Sequence, residues 1–128
     1  MCTGLSLTTK DGKHFFGRNL DVPASYGQSV HIIPRNFNWL NVVNGETLAS
    51  KYACIGMGIV VDNHPLLFDA VNEKGLAGGG LNFTHFAKFN ENAIDGKINI
   101  SASDFVYWAL SNFADLNELR QALENLVL

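Results

Sequence analysis

The second residue is a cysteine, and it offers the clearest chemistry in the chain. In Met1-Cys2-Thr3 the initiator methionine is of the kind trimmed before a small residue, which leaves a thiol and a free α-amine on one residue. Their unperturbed pKa values, about 8.5 and about 7.7–8.0, allow proton exchange near neutral pH, so Cys2 could supply both nucleophile and base. Asp11-Gly12 is a preferred two-residue hairpin turn, which makes Cys2–Thr9 and Lys13–Asn19 partner strands with opposed residue numbers summing to 23. Cys2 then faces Asp21 at about 4.5–5.5 Å, near enough for a carboxylate to orient an ammonium group. The same register puts Arg18 opposite Leu5, on the other side of the sheet. Either Arg18 is structural, or a bulge at Gly17 turns it toward the thiol. The plainer alternative makes Cys2 a small buried hydrophobe and Arg18/Asp21 an exposed pair worth roughly 0–1 kcal/mol.

A second candidate segment is Gly78-Gly79-Gly80-Leu81-Asn82. Consecutive glycines weaken a strand and mark a bulge or a close backbone approach. No Lys-Ser/Thr follows and no helix opens there, so this is not a phosphate loop. The segment reads as a strand end where backbone and the Asn82 amide could meet a developing oxyanion, or as glycines that only make room for packing. The histidines His14, His31, His64 and His85 form no ligand pair, and Cys2 and Cys54 fit no zinc spacing.

The elements that must position these residues are strands first and helices last. Further strands are expected at Ser29–Pro34, Tyr52–Val61, Leu66–Val71 and Leu76–Phe83, with turns at 62–65 and 72–75. Residues 39–50 read as a loop or outer hairpin, and the short connections predict an antiparallel meander. After an irregular stretch over 84–99, Ser101–Asp104 looks like a capped helix start, with Ala102, Phe105, Val106, Ala109, Leu110 and Phe113 on one face. Asp115-Leu116-Asn117-Glu118 restarts a helix whose apolar stripe runs Leu116, Leu119, Leu123 and Leu126. The expected class is α+β, an antiparallel sheet followed by a covering helical pair. The chain ends on Leu126-Val127-Leu128 inside that helical pattern with no closing signal, which reads as the front portion of a larger domain.

Composition narrows the function. The 128 residues are 47% hydrophobic and 16% charged, with net charge −3 and no basic run, which argues for a core-forming chain and against nucleic acid as partner. No apolar stretch approaches the roughly 20 residues of a membrane span, and no secretory signal opens the chain, so a cytoplasmic location with free thiols is expected.

Taken together, Met1-Cys2-Thr3, Phe16-Gly17-Arg18-Asn19-Leu20-Asp21, Ile33-Pro34-Arg35-Asn36, Asn72-Glu73-Lys74-Gly75-Leu76 and Gly80-Leu81-Asn82-Phe83 resemble the choloylglycine hydrolase family. Its members are the bile salt hydrolases and penicillin V acylases, within the N-terminal-nucleophile hydrolases. The resemblance implies that residues 1–128 are the N-terminal part of a four-layer αββα sandwich and of a single domain more than twice as long. It implies Cys2 as nucleophile, its α-amine as proton carrier, Asp21 and Arg18 as groups that place and polarise Cys2, and Asn82 as an oxyanion contributor, with no cofactor or metal. A second asparagine and a second arginine of the family's site would fall beyond Leu128, so the 128-residue chain alone is expected to be inactive or poorly folded. Asn82, where the acylases carry Tyr, resembles the bile salt hydrolases. Leu20 and Val61 would fit a steroid-lining wall, and Tyr26 its rim. The implied substrate is a glycine- or taurine-conjugated bile salt and the implied assembly a homotetramer. The alternatives are penicillin V acylase activity and a non-catalytic remnant or bile-acid-binding module.

Overall fold

The first hairpin sets the register of the candidate site. The computed structural model describes residues 2–83 and 85–128; Met1, whose removal the Cys2 chemistry needs, and Thr84 lie outside them. Strands β1 (Thr3–Thr8) and β2 (His14–Asn19) pair antiparallel. The Thr9 N–H donates to the Lys13 carbonyl at 2.8 Å and the Gly12 N–H to the Thr9 carbonyl at 2.9 Å. The loop is therefore Lys10-Asp11-Gly12, three residues, with Gly12 at φ +82°, a conformation that glycine adopts at little cost. The expected two-residue turn is corrected to a three-residue one, and opposed residue numbers sum to 22, as in Thr3 with Asn19. That one-residue change moves every β2 side chain to the other face relative to β1.

The central sheet contains β3 (Ser29–Ile33), β6 (Cys54–Val61), β7 (His64–Asn72) and β8 (Ala77–Gly79) in the order β3-β6-β7-β8, all antiparallel. Between β3 and β6 the chain makes a separate hairpin of β4 (Asn38–Leu40) and β5 (Thr47–Ala49), the outer-hairpin reading of 39–50. The turn between β6 and β7 is only Asp62-Asn63, both at positive φ, so His64 and Pro65 belong to the strand. Register shifts once along β6/β7: Met57 faces Asp69 while Gly58 faces Leu67, leaving Phe68 as a bulge residue. The bulge reverses the phase of β7, so that Leu67 is buried with Ala70 and Asn72 while Asp69 stands on the opposite face.

One face of this sheet carries helix α1 (Phe105–Asn112). Val106, Tyr107, Trp108, Ala109 and Leu110 are all buried, so α1 is enclosed nearly all round, where the sequence pattern shows a single apolar stripe. Asp104 does not cap it through its side chain; its carboxylate instead accepts a hydrogen bond from His64 Nε2 at 2.7 Å. Helix α2 (Leu116–Leu123) is capped as expected, with Asp115 accepting from the Asn117 and Glu118 N–H groups, but it covers little of the sheet: Leu116 is 54% exposed. The helix stops at Leu123, and β10 (Leu126–Val127) pairs parallel with β9 (Ile98–Asn99). The C-terminal apolar run is thus a strand, because pairing with a neighbour satisfies backbone groups that a helix end would leave open. No helix among the described residues is long and apolar enough to cross a membrane.

The motif residues Arg35, Asn72 and Glu73 hold this layer together. Buried Asn72 donates to the Leu110 and Phe113 carbonyls at 2.8 and 2.7 Å and accepts from the Lys74 and Leu76 N–H groups at 3.0 Å, tying the end of α1 to the turn after β7. Glu73 forms a bidentate pair with Arg35 and accepts the Ala53 N–H at 2.8 Å. Hydrogen bonds from Arg35, then that from Ala53, lower the Glu73 pKa to about 2 from 4.5. A lowered folded-state pKa means that the contribution is fully present above the ordinary carboxylate value and is lost as pH falls toward about 2. The stability difference between the parent and Glu73→Gln, read from urea midpoints, is expected to be constant above about pH 5, to shrink with added salt because the pair is exposed, and to vanish near pH 2. A difference independent of pH would contradict this.

Candidate active site

The Cys2 end of the hairpin lies against the end of β8. Cys2 is half-buried, just before β1, and its thiol lies 4.0 Å from the main-chain carbonyl of Asp21. Neither Cys2 nor Asp21 belongs to the β1/β2 ladder, so the expected direct opposition of the two is replaced by a contact through the Asp21 backbone. In the observed register Arg18 is opposite Gly4. Gly4 and Cys2 are two residues apart and share a face, so Arg18 is on the Cys2 side with no bulge at Gly17; its expected opposition to Leu5 is corrected by the longer loop. Diagonal neighbours of this kind are about 7–8 Å apart, within reach of a long side chain.

The Gly-rich segment closes over that same face. Arg18 Nη2 donates to the Gly80 carbonyl, and the Gly80 N–H donates to the Phe68 carbonyl at 2.8 Å. A Cβ at Gly4 would stand 3.5 Å from Leu81 Cδ1, so Leu81 rests on the strand beside Cys2. A Cβ at Gly79 would come within 3.2 Å of Asp69 Cβ and 3.4 Å of the Phe16 ring. The glycines therefore do make room for packing, and in doing so they bring Gly80 to Arg18. Asn82 follows two residues later, exposed, in the coil after β8.

Arg18 is otherwise sealed in, with its side chain 5% exposed and Nη1 3.5 Å from Asp69 Oδ2. Arg18 and Leu20 share a cleft of about 330 Å³ with Phe16, Met57 and Asp69. Tyr26 stacks edge-on with Phe68, ring centroids 5.7 Å apart. Val61 is not in this group: it lines a separate groove of about 500 Å³ with Trp39, Leu40 and His64. A further cleft of about 540 Å³, between residues 89–93 and the β9/β10 ladder, holds none of these side chains. Asp69 is absent from the sequence-based site, although a lone carboxylate inside the apolar run Leu66–Val71 was a signal for it.

The family model of linear amide C–N hydrolases, choloylglycine hydrolase family, matches residues 2–128. The chain belongs to the choloylglycine hydrolase family. Among similar members, the bile salt hydrolase/transferase of Clostridium perfringens is 47% identical over 125 residues, which are 98% of this chain and 38% of that protein. The conjugated bile acid hydrolase of Lactobacillus gasseri is 48% identical over 125 residues, 98% of this chain and 39% of that protein. The chain thus spans about two-fifths of the length of these relatives. The crystal structure of the C2A mutant conjugated bile acid hydrolase from C. perfringens superposes with a TM-score of 0.92 at 46% identity, covering 99% of this chain and 39% of that one. Penicillin V acylase from Agrobacterium tumefaciens superposes at 0.75 over 100% of this chain and 40% of that one, at 20% identity, a likeness of fold. As in these N-terminal-nucleophile hydrolase folds, the choloylglycine hydrolase chain builds antiparallel sheets and two helices, beside the short parallel β9/β10 pair.

The two cysteines differ in what they can do. Cys54 is 2% exposed, and burial, then the Glu73 charge, push its pKa up to about 11. Half-buried Cys2 has no such enclosure. Iodoacetamide at pH 7.5 is expected to label Cys2 in the native protein and Cys54 only after denaturation, as read by peptide mass spectrometry. Equal native labelling would contradict it.

Proposed function

We propose that the whole protein carrying this chain is a bile salt hydrolase, a cysteine amidase acting on glycine- or taurine-conjugated bile salts. On this reading residues 1–128 are the N-terminal portion of one choloylglycine hydrolase domain. Support comes from the exposed apolar face of the central sheet, where Val30, Ile32, Ile55, Met57 and Val71 await a second layer; Ile32 alone is 75% exposed.

Once Met1 is removed, the Cys2 α-amine takes the thiol proton. The thiolate attacks the amide carbonyl carbon, and the resulting oxyanion accepts a hydrogen bond from the Asn82 amide. Collapse breaks the C–N bond; the ammonium proton goes to the departing nitrogen, and glycine or taurine leaves. Water, deprotonated by the same amine, then cleaves the thioester, releasing the bile acid and restoring the thiol. Arg18 and Asp21 place and polarise Cys2. Leu20 offers apolar surface to the steroid and Tyr26 its rim; Val61, in its separate groove, takes no part. No cofactor enters.

The observation that carries this reading is the bridge from Arg18, on the Cys2 face of the hairpin, to Gly80, two residues before Asn82. The names of relatives 47–48% identical to the chain favour bile salts over penicillin V. Side-by-side assays of the whole protein on glycocholate, taurocholate and penicillin V are expected to release glycine and taurine and to leave penicillin V nearly intact. Turnover of penicillin V alone would replace the reading with an acylase, and an N-terminal mass retaining Met1 would exclude the mechanism, since its base would be an amide. A cytoplasmic location is part of this reading and is checked by cell fractionation. The homo-oligomer implied by family resemblance, a tetramer, is checked by light scattering.

A further inference from the structure

We infer that Asp69 is a positioning residue, which holds the Arg18 guanidinium in place for the reaction at Cys2; the inference rests on the reading of Arg18 given above. Asp69 occupies an unusual place for a charge. On its face of the sheet the cross-strand rows run Val30–Met57–Asp69–Gly79 and Ile32–Ile55–Val71–Ala77, so Asp69 is the one carboxylate among apolar neighbours. A charge taken from water in such a place needs a partner of opposite sign. Arg18, reaching across from the other sheet, is that partner, with Nη1 3.5 Å from Asp69 Oδ2.

Three features of the backbone serve this pairing. The Phe68 bulge turns Asp69 to the hairpin side while Leu67 and Ala70 remain buried. Gly79, opposite Asp69, has no side chain, and a Cβ there would crowd the Asp69 Cβ at 3.2 Å. The bulge carbonyl of Phe68 also fixes Gly80, whose own carbonyl takes Arg18 Nη2. The guanidinium is thus held at two points, a carbonyl and a carboxylate. The Nη1 contact with Asp69, at 3.5 Å, is an ion pair and not a hydrogen bond, so Nε and Nη1 both keep buried N–H groups without a hydrogen-bond partner among the described residues. Those donors are what Arg18 can direct at a thiolate or at a carbonyl oxygen gaining charge. Without Asp69 the guanidinium would still be charged but would lose the anchor that opposes the Gly80 carbonyl.

A double-mutant cycle in the whole protein tests this. Asp69→Asn preserves size and is expected to lower kcat on glycocholate by about 10-fold or more with KM within about twofold, and Asp69→Glu to recover part of it. In an Arg18→Lys background the same Asp69→Asn change is expected to cost less than about twofold, because its effect passes through the guanidinium. Circular dichroism and native protection of Cys54 from iodoacetamide report that each variant is folded. An equal loss in both backgrounds would make Asp69 an independent, structural residue, and no loss in the parent would also overturn the inference. If Arg18→Lys alone leaves kcat unchanged, the reading of Arg18 fails, and the role of Asp69 fails with it. A damaging Arg18→Lys beside a silent Asp69→Asn would sink the Asp69 inference alone.

Discussion

Replacement of Cys2 by alanine is expected to lower hydrolysis of conjugated bile salts by the whole protein at least about 1,000-fold, while thermal stability stays within a few degrees of the parent. On the proposed mechanism the first effect comes from the nucleophile alone, since alanine keeps an α-amine at position 2. Loss of Sγ would remove the atom that forms the thioester, and the two described positions next to Cys2 on that face offer no substitute, since Gly4 has no side chain and Arg18 is a cation. The small size of the second follows from location. Cys2 stands outside the β1/β2 ladder, is only half-buried, and its thiol makes a 4.0 Å contact with the Asp21 carbonyl. Released glycine or taurine and a melting curve measure the two quantities. Activity above a tenth of the parent's would show that the nucleophile lies elsewhere. Cys2→Ser tests the same point more gently, because a hydroxyl can form the ester but ionises far less readily than a thiol.

The largest effect on stability is expected from Asn72→Ala, about 3–5 kcal/mol by urea denaturation of the whole protein. Asn72 is 4% exposed and uses its amide in both directions, donating to two carbonyls at the end of α1 and accepting two N–H groups of the turn that leads into β8. Alanine leaves those groups without partners, and each buried polar group left unsatisfied costs about 1–3 kcal/mol. The carbonyls of Leu110 and Phe113 belong to the end of α1, where no further helical N–H follows to satisfy them. Hydrogen exchange should localise the change: the Lys51 and Tyr52 amides, which donate to the Ser111 carbonyl, are expected to lose protection with the end of α1. A loss below about 1 kcal/mol would mean that water takes over these hydrogen bonds. Asn72→Asp is no rescue, since it supplies only acceptors where two of the four partners are themselves acceptors.

The sequence alone determined what local chemistry can determine. Cys2 after Met1 marked a possible nucleophile, Asp11-Gly12 marked a hairpin, Asp115 marked the start of α2, and the motifs from Phe16 to Phe83 marked the family. Each depends on residue types within a few positions of one another. What the tertiary structure decided is parity, the face on which a side chain emerges. A loop of three residues instead of two brought Arg18 from the far side of the hairpin to that of Cys2. A single extra residue at Phe68 kept Leu67 in the core and turned Asp69 outward to meet Arg18. The same limit applies at the C-terminus, where Leu126 and Val127 fit a helical stripe in the sequence but pair with Ile98 and Asn99 in space. Strand alternation has a period of two, so a one-residue change in a loop or bulge reverses everything after it, and only the energy of packing distant segments selects between the two outcomes. Cys2 was therefore legible from the first residues of the chain, whereas the pair Arg18 and Asp69 became visible only when the hairpin and the central sheet were brought together.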